Sequence, residues 1–299
     1  MMPIAMLVGG LFYNIFAWFS FLTPYLIFFM LLFTFSKLSP KGIRFERAQF
    51  YLLAINLLAG GLCYFALHPF NHELAQGALI CFLQPTATAA AVITGILGGS
   101  VGFVTSFTLL SNFGVSILAP LYFTLADVHP ELSFVASVVK IFVKIFPLLI
   151  LPLLTAWAIR YTLPRVQEAM LRFSKMPFYL WSISLAVVTG RTVKHLVEMP
   201  SHNVPLELSL AFISLAICAV QFIAGKMIGS QFDNRIAAGQ SLGQKNTILA
   251  IWMAQVFLDP VVALAPSTYI LWQNIINSYQ VWKAHKRERE ELARLKAGE

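Results

Sequence analysis

The chain has 299 residues, 58% of them hydrophobic and only 11% charged, with a net charge of +8. A soluble domain carries about 25% charged residues, so this composition points to a polytopic helical protein of the lipid bilayer and leaves no separate soluble domain over. Apolar stretches of about 20 residues, enough to cross a ~30 Å hydrocarbon core, recur along the whole chain, while the alternating ten-residue strands of an outer-membrane barrel are absent.

The first span is expected at residues 4–20. No charged segment and no A-x-A cleavage pattern precedes residue 30, so this span is expected to stay in the mature protein. The second, 22–37, runs into SKLSPKGIRFER, which holds Lys37, Lys41, Arg44 and Arg47. The third, 47–67, ends at HPFNHELAQ. The fourth, 74–97, contains LQPTATAAAV, where Pro85 removes an amide and presses on the preceding turn, so a break or kink is expected there. The fifth, 100–125, leads into ADVHPELS. The sixth, 132–158, is followed by a linker with Arg160, Arg165, Arg172 and Lys175. The seventh, 177–199, ends at MPSHNVP. The eighth, 204–230, is joined to the ninth, 235–257, by a loop flanked by Lys226 and Arg235. The ninth carries the polar stretch GQKNT, with Gly239 and Gly243 loosening the helix. The tenth, 261–282, leads into a charged tail, 283–299.

Ten spans put both termini on one side. Of the 21 basic residues, four, four, two and then six in the tail fall on that side. HPFNHELAQ, ADVHPELS and MPSHNVP hold no Lys or Arg. Cytoplasmic loops carry the excess of Lys and Arg, so an inner-membrane protein with both termini in the cytoplasm is expected. The positive charge is then a topology signal and not a nucleic-acid surface. Cys63, Cys81 and Cys218 lie in apolar segments and read as small buried hydrophobes. His68, His72, His129 and His202 fall in the opposite loops, and His195 near that end of span seven. His68-x3-His72 has metal-like spacing, but Pro69 interrupts the turn and no third ligand is evident. No metal and no cofactor is expected. Nucleotide-binding loops, HExxH and GxSxG are absent, so an enzyme is not expected.

Five spans per half is an odd number, so two similar halves, about 1–126 and 127–282, would lie in opposite orientations. Echoes between them fit this. TPYLIFFMLLF (23–33) faces MPFYLWSISLAV (176–187), LQPTATAAAV (83–92) faces GQKNTILAIW (243–252), and LAPLYF (118–123) faces LAPSTY (264–269). Inverted repeats of secondary transporters place the binding site at mid-membrane on discontinuous helices. Irregular backbone at that depth survives only against protein or a water-filled cavity. The polar stretches of spans four and nine are therefore expected to meet.

PYLIFFMLLFTFSKLSP (24–40), QPTATAAAVITGILGGSVGFVTSFT (84–108), and GQKNTILA (243–250) followed by YILWQNIINS (269–278) resemble three motif regions of the bile acid:sodium symporter family. The resemblance implies an all-α fold of ten transmembrane helices in two inverted five-helix repeats. Spans 1, 2, 6 and 7 form a panel against a core of spans 3–5 and 8–10, with broken spans four and nine crossing in the core. It also implies two sodium sites, and here the sequence departs. The family's Ser-Asn pair reads Ala90-Ala91, its two hydroxyl positions read Val104 and Thr108, its Glu reads Ser241 and its Gln reads Lys245. No carboxylate remains in either polar stretch, so sodium binding is not expected.

Lys245 places a positive charge where the family holds a cation. Its ammonium has three donors and no acceptor, so it is expected to satisfy carbonyls freed at the crossing, together with Gln84, Thr86 or Thr88. A lysine at the centre of a span costs about 2.5–3.5 kcal/mol on insertion scales, and such residues mark function. Three roles stay open: a structural ammonium, a proton-coupling group, or a direct ligand for substrate. Gln244, Asn246 and Thr247 are expected to bridge the crossing, and the resemblance implies Asn246 and Thr247, which match the family's Asn-Ser, as substrate contacts. On the panel, Lys140 and Lys144 (i, i+4) and Arg191 and Lys194 (i, i+3) each share a helix face. Cations without matching acids attract an organic anion; snorkelling toward the headgroups is the alternative, and suits Lys140 and Lys194 best.

The function expected is secondary transport of a small organic anion by alternating access, without sodium coupling. An uncoupled or proton-linked exporter, and a transport-inactive sensor or scaffold of the same fold, are the alternatives.

Overall fold

The computed structural model describes residues 2–126, 133–173, 175–199 and 203–297, and these are all-α. Among them the one pairing of extended backbone is an isolated antiparallel bridge between Thr86 and Lys245. His129 and His202 lie outside the described residues.

The expected first span is α1 (Met2–Leu11) and α2 (Tyr13–Trp18), separated at Phe12, whose φ of −105° and ψ of 37° leave the helical region. A 3₁₀ turn, Phe19–Leu22, leads into α3 (Thr23–Phe35), with Pro24 in its first turn. Next come α4 (Arg47–Leu67), α5 (His72–Leu83), α6 (Ala89–Ile96) and α7 (Val101–Ala126). Glu46 and Gln49 cap α4 reciprocally, and Asn71 caps α5 by accepting the Leu74 N–H at 2.6 Å, which satisfies amides a helix start leaves free. The second half has α8 (Phe134–Thr162), α9 (Pro164–Arg172), α10 (Met176–Glu198) and α11 (Val204–Ser230). It ends with α12 (Arg235–Gly243), α13 (Thr247–Phe257), a 3₁₀ turn at Pro260–Ala263 and α14 (Leu264–Ala297).

Both expected breaks are present. Span four is α5 and α6 with residues 84–88 between them, and span nine is α12 and α13 with residues 244–246 between them. Five stretches of the described residues are long and apolar enough to cross a membrane: Tyr13–Phe35, α4, α7, α8 and α11. The first of these joins α2 to α3 through the 3₁₀ turn, where the sequence divides spans one and two.

Helices α1, α2 and α3 pack on α10, and α3 also packs on α8; α4–α7 pack among themselves and with α11–α14. Glycines set the closest approaches. A Cβ on Gly9 of α1 would stand 2.4 Å from the Ala186 carbonyl oxygen of α10, so only glycine admits this contact. Small residues let helices meet backbone to backbone where lipid offers no hydrophobic drive. Every residue of α13 except Val256 is buried, as expected of a helix apolar on all faces.

Two features go beyond the expected spans. Through the charged tail after residue 282, α14 continues as one helix to Ala297. Its Glu, Lys, Arg and Ala are strong helix formers, and Lys286 and Glu290 pair at i, i+4. The linker after span six contains a helix of its own, α9, which starts on Pro164, buries Gln167 and Met170, and exposes Arg165, Val166, Leu171 and Arg172.

Candidate functional site

The breaks in the two interrupted helices lie against each other. The Ala87 N–H donates to the Gln244 carbonyl at 2.9 Å, and the Asn246 N–H donates to the Pro85 carbonyl at 2.8 Å. This short antiparallel pairing gives extended backbone at the crossing the partners that a helix would have supplied. The Thr86 hydroxyl donates to the Ser241 carbonyl at 2.6 Å, and the Thr86 N–H donates to the Ser111 hydroxyl at 3.2 Å.

The last carbonyls of α5 and α12 also find donors. Cys81 O accepts from the side-chain amides of Gln84, at 3.0 Å, and Gln221, at 3.1 Å. Gly243 O accepts from the Tyr269 hydroxyl at 3.0 Å, which itself accepts from Gln221 at 3.2 Å. Phe82 O lies 3.5 Å from the Lys245 ammonium.

Lys245, 1% exposed, has its main chain in the crossing and its side chain directed back toward α4 and α5. Its N–H donates to Gln273 Oε1 at 2.8 Å, and its carbonyl accepts from Gln273 Nε2 at 3.4 Å. Its ammonium donates to Asn56 Oδ1 of α4 as well as to Phe82 O. The expectation that Gln84, Thr86 or Thr88 would hold the ammonium is therefore corrected: no hydrogen bond joins Lys245 Nζ to any of them, the Gln84 amide donates to Cys81 O and leaves its Oε1 without a partner, the Thr86 hydroxyl donates to Ser241 O, and Thr88 makes no side-chain hydrogen bond among the described residues. Asn56 takes their place because α4 packs along α5. The C-terminal end of α5, where carbonyls point, is a favourable place for a positive charge.

Gln244 and Asn246 are buried; Asn246 Oδ1 caps α13 by accepting from Leu249 at 3.4 Å, and Gln244 Oε1 has no partner among the described residues. Thr247 is buried at the first turn of α13, and half-buried Thr88 precedes α6. Thr88 before α6 and Asn246 and Thr247 at the start of α13 flank the antiparallel bridge at its two ends, and helix starts favour negative charge.

Ala90 and Val104 are fully buried, Ala91 is half-buried, and none of the three side chains carries an oxygen. The Thr108 hydroxyl donates to Val104 O of its own helix at 2.8 Å. Ser241 Oγ is buried without a partner among the described residues. No acidic side chain bonds to any of these groups among the described residues. A sodium ion exchanges its water for several oxygens and usually some negative charge, and this set does not fit one.

Lys144 and Arg191 approach one end of α13 from different helices. The Lys144 ammonium stands 5.8 Å from the centroid of the Phe257 ring, and Arg191 Nη2 donates to Gln255 O at 3.3 Å. Lys140 is exposed. Lys194, expected to lack a matching acid, pairs with Glu198 one turn on, at 3.7 Å. His68 and His72 do come together, with ring centroids 5.1 Å apart, but no cluster of three metal-ligating side chains forms among the described residues.

Crossed, interrupted helices buried inside an apolar bundle define an integral membrane protein of the transporter class. The model of the sodium bile acid symporter family matches residues 19–199, and the chain belongs to that family. No curated protein matches the chain. The family match takes in the first interrupted helix and stops before the second, so Ser241 and Lys245 lie beyond it.

Asn56, Gln221, Tyr269 and Gln273 were not singled out from the sequence. Gln273 sits inside YILWQNIINS, where a polar pair in an apolar run was a usable signal. Asn56 is a lone amide in a span, and nothing local ties it to a lysine 189 positions away.

Proposed function

We propose that this protein is a secondary carrier that moves a small organic anion by alternating access, without sodium coupling. The observation that carries the reading is the buried Lys245 ammonium, held by Asn56 and Phe82 O beside the crossing. A tethered cation there does by covalent attachment what a bound ion would do by association: it balances the carbonyl ends and needs no ion from solution. The arrangement fits ten spans in two inverted repeats, with α1–α3, α8 and α10 as the panel and the remaining spans as the core. The anion would bind at the starts of α6 and α13, on Thr88, Asn246 and Thr247. Lys144 and Arg191 would draw it in from the side of α8 and α10. Both termini, with the basic loops, would face the cytoplasm.

The test is a thermal-shift screen of the purified full chain with short keto acids and steroid carboxylates, in sodium and in potassium. A carrier is stabilised by its anion, by about 2.7 kcal/mol at a hundredfold excess over Kd, and equally in both salts. Uptake into proteoliposomes that needs sodium and fails in potassium would sink the proposal. No stabilisation by any anion would favour an inactive scaffold.

A further inference from the structure

The corner where α9 meets α10 carries a feature that transport does not use. Arg172 closes α9 and Lys175 immediately precedes α10. With Phe173, Met176 and Tyr179 they line a cavity of about 250 Å³. Neither cation forms an ion pair among the described residues, and Glu168, one turn back on α9, reaches neither. The start of the 23-residue α10 adds the positive end of its helix dipole to the same spot. Around the cations the surface is apolar: Leu171, Phe173, Phe178 and Tyr179 are all exposed. The opposite side of α9 is tied down, since Met170 is buried and Gln167 Nε2 donates to Ser36 O at 3.1 Å.

We propose that this corner binds the phosphate-bearing headgroup of an anionic phospholipid. Arg172 and Lys175 take the phosphate, and Phe173, Met176 and Tyr179 pack on the glycerol and the upper acyl chain. Basic pockets at span ends bind lipid headgroups, and aromatic residues prefer the depth at which headgroups meet hydrocarbon. A soluble phosphate compound shares the anionic chemistry but has no use for the exposed aromatic wall.

The test equilibrates the full chain in vesicles of equal parts phosphatidylcholine and phosphatidylglycerol, extracts it in mild detergent, and measures retained lipid by mass spectrometry. The parent should retain phosphatidylglycerol preferentially. Each surface cation contributes about fivefold, so Arg172→Gln with Lys175→Gln should lower that preference roughly 25-fold. Arg172→Lys with Lys175→Arg, which keeps both charges, should retain most of it. Lys283→Gln with Lys286→Gln on α14 should leave it unchanged; an equal loss there would mean that any basic surface recruits the lipid, and would overturn the proposal. Glycerol 3-phosphate separates the two sources of phosphate. If it binds the protein in pure phosphatidylcholine as tightly as the lipid does, the site belongs to a soluble ligand and the lipid proposal fails.

Discussion

Lys245 and Asn56 form the pair on which the interior depends most sharply. Lys245→Met keeps the length of the side chain but leaves Phe82 O and Asn56 Oδ1 without their donor in a dry core. An unsatisfied buried polar group costs about 1–3 kcal/mol, and the variant should lose that much in thermal or chemical unfolding. Asn56→Leu should cost more, about 3–5 kcal/mol, because it strands a buried charge. The double variant removes both partners, so its loss should fall well short of the sum, and the deficit measures the coupling. A Lys245→Met protein as stable and active as the parent would make the ammonium incidental. The cations nearer the surface behave differently. Lys144→Gln and Arg191→Gln should weaken anion binding in the same thermal-shift assay; unchanged binding in both would leave these side chains only their contacts with Phe257 and Gln255 O.

Among the elements, the α11–α12 hairpin decides where the second interrupted helix begins. Gly225 and Gly229 of α11 face Ala238 and Asn234, and a Cβ on Gly225 would meet the Ala238 carbonyl oxygen at 2.5 Å, a backbone atom that cannot swing aside. Gly225→Ala should therefore push α12 outward, cost about 1–3 kcal/mol as overpacked cores do, and disturb the crossing. Gly42→Ala, with nothing within 4 Å, should be silent. What the sequence disclosed of these elements follows the reach of each signal. Pro85 and Gly243 announce breaks because their chemistry is local, and both breaks lie within a residue or two of them. Helix α9 went unseen because nine residues in a basic linker offer too short a period to register, and its capping proline sits among charges. The tail was read only as charged, yet helix propensity and the Lys286–Glu290 pair carry α14 through it. At the site, Lys245 stood out as a charge in an apolar run. Its partner did not, since an amide such as Asn56 is unremarkable until the packing of α4 on α5 brings it across.

For the whole molecule, the question is whether one fold can run with a covalently tethered charge in place of a bound one. The family match establishes the transporter class, while the residues at the crossing, Ala90, Ala91, Val104 and Ser241, offer an ion too few oxygens. If the ammonium is the substitute, the two solutions should be exchangeable only as sets. Lys245→Gln alone removes the charge without supplying ligands, so it should destabilise the protein in sodium and in potassium alike. Lys245→Gln combined with Ser241→Glu, Ala90→Ser and Ala91→Asn restores a carboxylate and several oxygens around the same carbonyl ends. That variant should be unstable in potassium and recover in sodium, with a midpoint that rises with the logarithm of sodium concentration, as for any ligand bound by the native state alone. The new carboxylate would lie in a dry core, so without an ion to meet it the fourfold variant should be less stable than the parent. Recovery in both salts would show that the restored side chains merely satisfy one another, and the idea of a tethered substitute ion would then fail even if the protein carries an organic anion as proposed.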